Sequence, residues 1–222
     1  MSQVTRRAGP DAASLPRLLN RDAGPGLDSH FEHWGQMPGG GPALIAEVER
    51  AGLRGRGGAA FPTAVKLRAV AQGRQAVVVA NGMEREPVSG KDKVLLARAP
   101  HLVLDGMSIA AETVGASEAV LCVDRGATDA LAAVARAVTE RRRAGADRIP
   151  IRVEAAPSAY VTGEESALVH WLNGGPSKPT FVPPRPFEKG VRGRPTLVNN
   201  VETLANLALV ARFGADWFRA IG

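Results

Sequence analysis

Four short stretches of the chain hold residues whose types and spacing could do chemistry. The first is Leu53-Arg54-Gly55-Arg56-Gly57-Gly58-Ala59-Ala60-Phe61-Pro62-Thr63, a glycine cluster that runs into a helix-compatible segment at 64–72. Where side chains are absent, backbone N–H groups can approach a phosphate or a flat ring, and a helix start just behind them favours negative charge. The spacing fits neither the P-loop nor the dinucleotide fingerprint, so a purely structural turn is an equal reading. Lys66, on the helix that follows, has the reach for a cofactor carbonyl or a phosphate, although a solvated lysine is the default at such a position.

The second stretch runs from Asn81 to Lys93 and leaves the C-terminal end of an apolar run, which in open α/β sheets is where ligands bind. Asn81 could bond a ring edge through its amide, while Glu84 and Glu86 could accept from ribose or ribityl hydroxyls; a polar turn with surface carboxylates is the competing reading. The third, Tyr160-Val161-Thr162-Gly163-Glu164-Glu165-Ser166-Ala167-Leu168, sets two carboxylates at a helix start, where the helix dipole favours them in any case. The fourth, Gly193-Arg194-Pro195-Thr196-Leu197-Val198-Asn199-Asn200-Val201-Glu202-Thr203, ends a strand on side-chain amides; Asn200 reads equally as a helix N-cap.

Other chemistries find no support. His30, His33, His101 and His170 are dispersed, without metal-ligand spacing, and no Ser/His/Asp elbow is present. Cys122 is the single cysteine and sits inside the apolar run Ala119-Val120-Leu121-Cys122-Val123, so a buried thiol is expected, with no disulfide and no self-sufficient iron–sulfur site. Lys and Arg together number 28 against 22 Asp and Glu, a formal charge of +6, and the basic residues are scattered rather than patterned. With only 5% aromatic residues there is little to stack on bases, so a nucleic-acid partner is not expected; some arginines could instead meet anionic ligands. No run reaches the ~18 to 20 apolar residues of a membrane span, and the N-terminus lacks an apolar signal core. The expectation is a cytoplasmic protein without direct membrane insertion.

The elements that must position these stretches alternate. Helices are expected over 44–50, 64–72, 105–114, 128–143, 163–172 and 201–212, and strands over 76–80, 119–123, 149–155 and 196–198, with a Pro-rich crossing at 176–186. Such alternation predicts an α/β fold, a Rossmann-like, mostly parallel sheet flanked by helices. Residues 1–41, rich in Gly, Pro, Ser, Asp and Arg, are expected to form a loosely ordered arm with one helical turn near 15–19; the domain proper is expected over 42–222.

The four stretches, in this order, closely resemble the flavoprotein subunit of NADH:quinone oxidoreductase and its relatives, the diaphorase subunits of NAD-dependent hydrogenases and formate dehydrogenases. The resemblance covers roughly residues 42–222. It implies an FMN-binding α/β domain in which Gly55, Arg56, Gly57, Gly58, Lys66, Asn81, Glu84, Gly163, Glu164, Asn199 and Asn200 hold the flavin. It further implies that Phe61, Glu86, Tyr160 and Glu165 face NAD(H), that the flavin accepts a hydride from NAD(P)H, and that electrons pass to a separate iron–sulfur protein or other electron-transfer subunit. No protein acid or base is required, because hydride transfer belongs to the cofactor.

The chain also departs from the family pattern. Met83 stands where an aspartate is usual, Arg85 where a small residue is usual, and Thr162 where a cysteine is common. Val182 and Arg185 stand where the family has a lysine and a phenylalanine beside the nucleotide. The family continues into a ubiquitin-like segment and a four-cysteine 4Fe–4S domain, whereas this sequence stops at Gly222, so no cluster is expected in the chain itself. These departures leave open a second reading, a truncated non-catalytic interaction module or remnant that has lost NADH oxidation. The resemblance places the protein in the cytoplasm, peripheral to a membrane complex through its partners.

Overall fold

The computed structural model describes residues 17–19, 23–84, 89–158 and 161–220. Four strands, β1 (Val77–Gly82), β2 (Glu118–Asp124), β3 (Ile151–Ala156) and β4 (Thr196–Asn200), form one sheet in the order β3-β2-β1-β4. Every pairing is parallel. The chain therefore steps outward from β1 to β2 and β3, then returns across the sheet to lay β4 on the other side of β1.

The central strands are apolar runs because both faces are covered. Val78 and Ala80 of β1 and Leu121 of β2 join the larger core cluster, while Val77, Val79, Val120, Cys122 and Val198 pack into a second one on the opposite face. Continuous rather than alternating apolar sequence is what a parallel sheet buried on both faces demands. The edge strand β3 differs, with Arg152 and Ala155 exposed.

Eight α-helices complete the described fold: α1 (Leu27–Trp34), α2 (Ala43–Ala51), α3 (Thr63–Ala71), α4 (Lys91–Arg98), α5 (Pro100–Val114), α6 (Thr128–Ala144), α7 (Glu165–Leu172) and α8 (Val201–Arg219). Helix α5 is buried along its whole length apart from Glu112, and starts at Pro100, five residues before the 105 expected from sequence. Proline at the first helical position needs no N–H partner and presets the helical φ. Helix α4 has no counterpart in the sequence expectation, which reads 81–93 as a strand-end stretch. Helix α8 continues beyond 212 to Arg219 across a break at Gly214, whose φ of 86° lies in the region glycine tolerates.

Part of the segment expected as a loosely ordered arm is instead α1. Leu27, His30 and Trp34 recur on one face and are buried, and Trp34 belongs to the main core. Residues 1–16 and 20–22 of that arm, and with them part of the turn expected near 15–19, lie outside the described residues. Within the described part, Arg17 lies over the Trp217 ring at 3.9 Å and donates to the Trp217 and Phe218 carbonyls at the end of α8. A cation there also suits the negative end of the helix dipole.

One buried carboxylate ties four helices together. Asp105 of α5 accepts from His30 Nε2 at 2.8 Å and Arg141 Nη1 at 2.7 Å, and also pairs with Arg212. Burial alone would raise its pKa, but these partners hold it well below the usual carboxylate range. Arg141 is itself fully buried and bonds Asp147 as well, so the charges inside are compensated.

Helix α5 also meets α8 closely at Gly106. A Cβ on Gly106 would lie 1.9 Å from the Leu204 carbonyl oxygen and 2.4 Å from its carbon. Backbone cannot move aside as a side chain tip can, so Gly106→Ala is expected to cost roughly 3 kcal/mol or more, above the usual range for overpacking. Urea unfolding monitored by circular dichroism checks this; an unchanged midpoint would show that α8 can be displaced freely.

Candidate functional site

The return of the chain to β4 makes a topological switch point at the C-terminal ends of β1 and β4, and ligands of open α/β sheets bind there. The register pairs Ala80 with Asn199 and Asn81 with Asn200, so three amide side chains come together at this edge. Around them opens a cleft of about 370 Å³, within the ~300–1,000 Å³ typical of small-molecule sites.

Two of the three amides are held by the protein. Asn81 Nδ2 donates to the Gly163 carbonyl at 2.8 Å, while its Oδ1 accepts from Met83 N at 3.1 Å, which ties the end of β1 to the approach to α7. Asn200 caps α8 through Oδ1, which accepts from Glu202 N at 3.0 Å, and its Nδ2 donates to Asp92 Oδ2 at 2.6 Å. Asn199 differs: it lines the cleft, is only 5% exposed, and its Nδ2 has no hydrogen-bond partner among the described residues.

The glycine-rich stretch forms the facing wall. Its base is closed by Gly55 N donating to the Phe61 carbonyl at 2.9 Å and by an antiparallel bridge between Arg54 and Pro62. Gly58 adopts a φ of 102°, which L residues rarely take, and a Cβ on Gly57 would sit 3.5 Å from Asn200 Cβ. The loop therefore rests against the end of β4. Arg56 N donates to Thr203 Oγ1 at 2.9 Å, and its side chain turns outward toward Glu202, with Nε at 3.9 Å from the carboxylate.

Lys66, on α3, points inward. Its ammonium donates to the Val198 carbonyl at 3.1 Å and pairs with Glu165 at the start of α7, so it bridges the two walls. Burial, and then the nearby Arg185 guanidinium, bring it down to about 8. It remains mostly charged at neutral pH. Phe61 is 40% exposed with its ring 5.8 Å from this ammonium, and Phe187 lines the same cleft. Glu164 accepts from Ala167 N at 2.9 Å and from Ser166 Oγ, which makes it the N-cap of α7.

A model of the Nuo51 FMN-binding domain matches residues 48–209. The chain belongs to this family. It is 37% identical over 190 residues to an NADH-quinone oxidoreductase subunit of Aquifex aeolicus, covering 81% of this chain and 44% of that one. It is 40% identical over 193 residues to the NAD-reducing hydrogenase HoxS subunit alpha of Cupriavidus necator, covering 81% of this chain and 32% of the relative. Among solved structures it is similar to an NAD+-reducing [NiFe]-hydrogenase in the air-oxidized state, with TM-score 0.77, 42% identity, and coverage of 81% of this chain and 32% of that one. The chain thus spans less than half the length of these curated relatives.

Of the site residues named from sequence, Gly55, Gly57, Phe61, Lys66, Asn81, Gly163, Glu164, Glu165, Asn199 and Asn200 line the cleft. Gly58 shapes the loop from outside the lining, Arg56 points toward α8, and Glu86, Tyr160 and Arg85 lie outside the described residues. Ala59, Ala60 and the Val198 carbonyl, inside two of the stretches singled out from sequence but not named there as site residues, also join the lining, and Phe187, beyond those stretches, joins it too. Of the departures from the family pattern, Met83 packs in the apolar cluster beneath the sheet end, Thr162 is buried and accepts from Ser177 Oγ at 2.7 Å, Val182 is exposed, and Arg185 lines the cleft.

Glu84 is absent from the cleft lining. Its carboxylate accepts from Ser89 Oγ, Asp92 N and Lys93 N, the last two at 3.3 Å, and so it caps the start of α4. Burial opposes its ionisation, but these bonds outweigh burial and hold it below the usual carboxylate range. Removing the cap by Glu84→Ala leaves orphan N–H groups, so a loss of about 1–2 kcal/mol is expected in chemical unfolding. An unchanged stability would mean that the cap contributes nothing to the fold.

Proposed function

We propose that this chain holds FMN in the cleft between β1 and β4, and that a nicotinamide nucleotide enters the same cleft as electron donor. The observation that carries this reading is the Asn199 amide, a buried donor without a partner among the described residues, in the wall of a cleft at the switch point. An unpaired buried donor costs about 1–3 kcal/mol, which an acceptor on the flavin ring edge would relieve. The residues fit the group in other respects too. Gly55 and Gly57 put backbone without side chains into their part of the wall, so a flat ring can lie close to it there.

When bound, the flavin supplies hydride acceptance and electron delivery. The chain's own residues supply position and charge. Lys66, anchored on the Val198 carbonyl, keeps a positive charge beside the ring that is set to carry negative charge. Asn81 and Asn200 are already committed to Gly163 and Asp92, and they keep the strand ends rigid instead of adapting to the ligand. Phe61 and Glu165, on the open side, face the second ligand, and the family resemblance adds Glu86 and Tyr160 to them. Both of these relatives are named as subunits, which supports a partner subunit in general; the family resemblance makes that partner an iron–sulfur or other electron-transfer subunit that takes the electrons, with the protein cytoplasmic and peripheral to its complex. Among the described residues no single helix is long and apolar enough to cross a membrane.

Titration of the purified protein with FMN is expected to reach one flavin per chain. Lys66→Ala should weaken FMN binding by roughly tenfold or more, the worth of a charge-assisted bond, whereas Lys189→Ala, away from the cleft, should change it less than about twofold. Anaerobic NADH should then bleach the bound flavin. A protein that ignores added FMN, or equal affinities for the two variants, contradicts the assignment of the cleft.

A further inference from the structure

Among the described residues the cleft lining has four charged side chains, Lys66, Glu164, Glu165 and Arg185. Three of them are committed within the protein: Glu164 caps α7, and Lys66 and Glu165 pair across the opening. Arg185 is different. Its backbone N–H donates to Glu188 Oε2 at 2.7 Å, but its guanidinium is exposed and has neither an ion pair nor a hydrogen bond among the described residues. It also stands close enough to Lys66 for its charge to weaken that ammonium.

The formal charges of the lining balance, two cations against two carboxylates, but Arg185 is the one of the four whose charged group has no partner among the described residues, which leaves an unpaired cation at the mouth of the cleft. The group that relieves it is an anion from the ligand, and a planar guanidinium fork matches the oxygens of a phosphate. Phe61 and Phe187 line the same cleft and offer ring faces, so a planar base and a phosphate together suit the lining. The diphosphate linkage is common to all pyridine dinucleotides and cannot discriminate among them. A terminal monoester differs, since it carries close to two charges with three free oxygens and suits an exposed arginine at the rim.

Resting on the nucleotide site proposed above, we propose that Arg185 recognises a phosphate monoester of the second ligand, so that the cleft favours NADPH over NADH. The test uses the flavin-loaded protein and the non-reducing probes NADP+ and NAD+, read by the perturbation of the bound flavin's visible spectrum. NADP+ is expected to bind roughly tenfold or more tightly than NAD+ at low salt, with the ratio shrinking as potassium chloride screens the exposed pair. Arg185→Ala should bring the two within about twofold, and Arg185→Lys should retain part of the preference, because it keeps the charge and loses the fork.

Arg185 lines the flavin cleft and its charge acts on Lys66, so any change of FMN affinity in either variant should be matched by riboflavin, which lacks the phosphate. A selective loss of FMN affinity, with riboflavin spared, would assign the arginine to the flavin phosphate and overturn the proposal. Equal affinity of the unaltered protein for NADP+ and NAD+ would overturn the role of Arg185 alone. Flavin binding without either dinucleotide would overturn the nucleotide site itself.

Discussion

The cleft exists because β4 lies parallel beside β1, on the side away from β2. This pairing is what sets Asn199 and Asn200 level with Ala80 and Asn81, and it turns the Val198 carbonyl into the anchor for Lys66. It also places the N-terminus of α8 at the site, because that helix starts immediately after Asn200. The glycine-rich loop has a wall to lean on only because β4 is there. A parallel return of this kind needs a long crossover, and the chain uses α7 and the Pro-rich segment for it, so the two remaining walls of the cleft come from the same connection.

The pairing is held from behind by packing that leaves little freedom. α8 can lie on α5 only where Gly106 has no side chain, and Leu204 fills that gap with its backbone. Asp105, one residue before Gly106, then binds α8 through Arg212, α6 through Arg141 and α1 through His30. A buried carboxylate with three cationic or donor partners adds little net stability, since desolvation offsets much of the attraction. It disfavours helix arrangements that would strand the charge. Position in the cleft is therefore set by apolar contact and chosen by buried charge.

Much of this was legible in the sequence. The apolar runs at 77–79 and 119–123 announce buried strands, and the strand–helix alternation announces a parallel sheet. Glycines beside a helix start, and amides at strand ends, marked residues that line the cleft. What the sequence left hidden has a common physical origin, since each feature depends on what a neighbour offers. Glu84 reads as a ligand acceptor, and only the start of α4 at Lys91 shows that its carboxylate also finds backbone donors. Asn200 reads from sequence as a helix N-cap and is one, whereas nothing in one dimension shows that Asn199 keeps a donor without a partner among the described residues. α1 was hidden by flanking Gly and Pro and by a buried face of only three residues, one of them the histidine His30.

The central claim is that the cleft at the ends of β1 and β4 is the flavin site, and the Asn199 amide is its most local reporter. In protein carrying 15N-labelled asparagine, with the Asn199 side-chain resonances assigned by their loss in Asn199→Asp, stoichiometric FMN should shift the Asn199 Nδ2 pair strongly. Peaks from Asn173, which is bonded to Gly190 and Arg192 away from the cleft, should stay in place. An Asn199 amide that does not move while FMN is bound would contradict the account and put the flavin elsewhere on the chain.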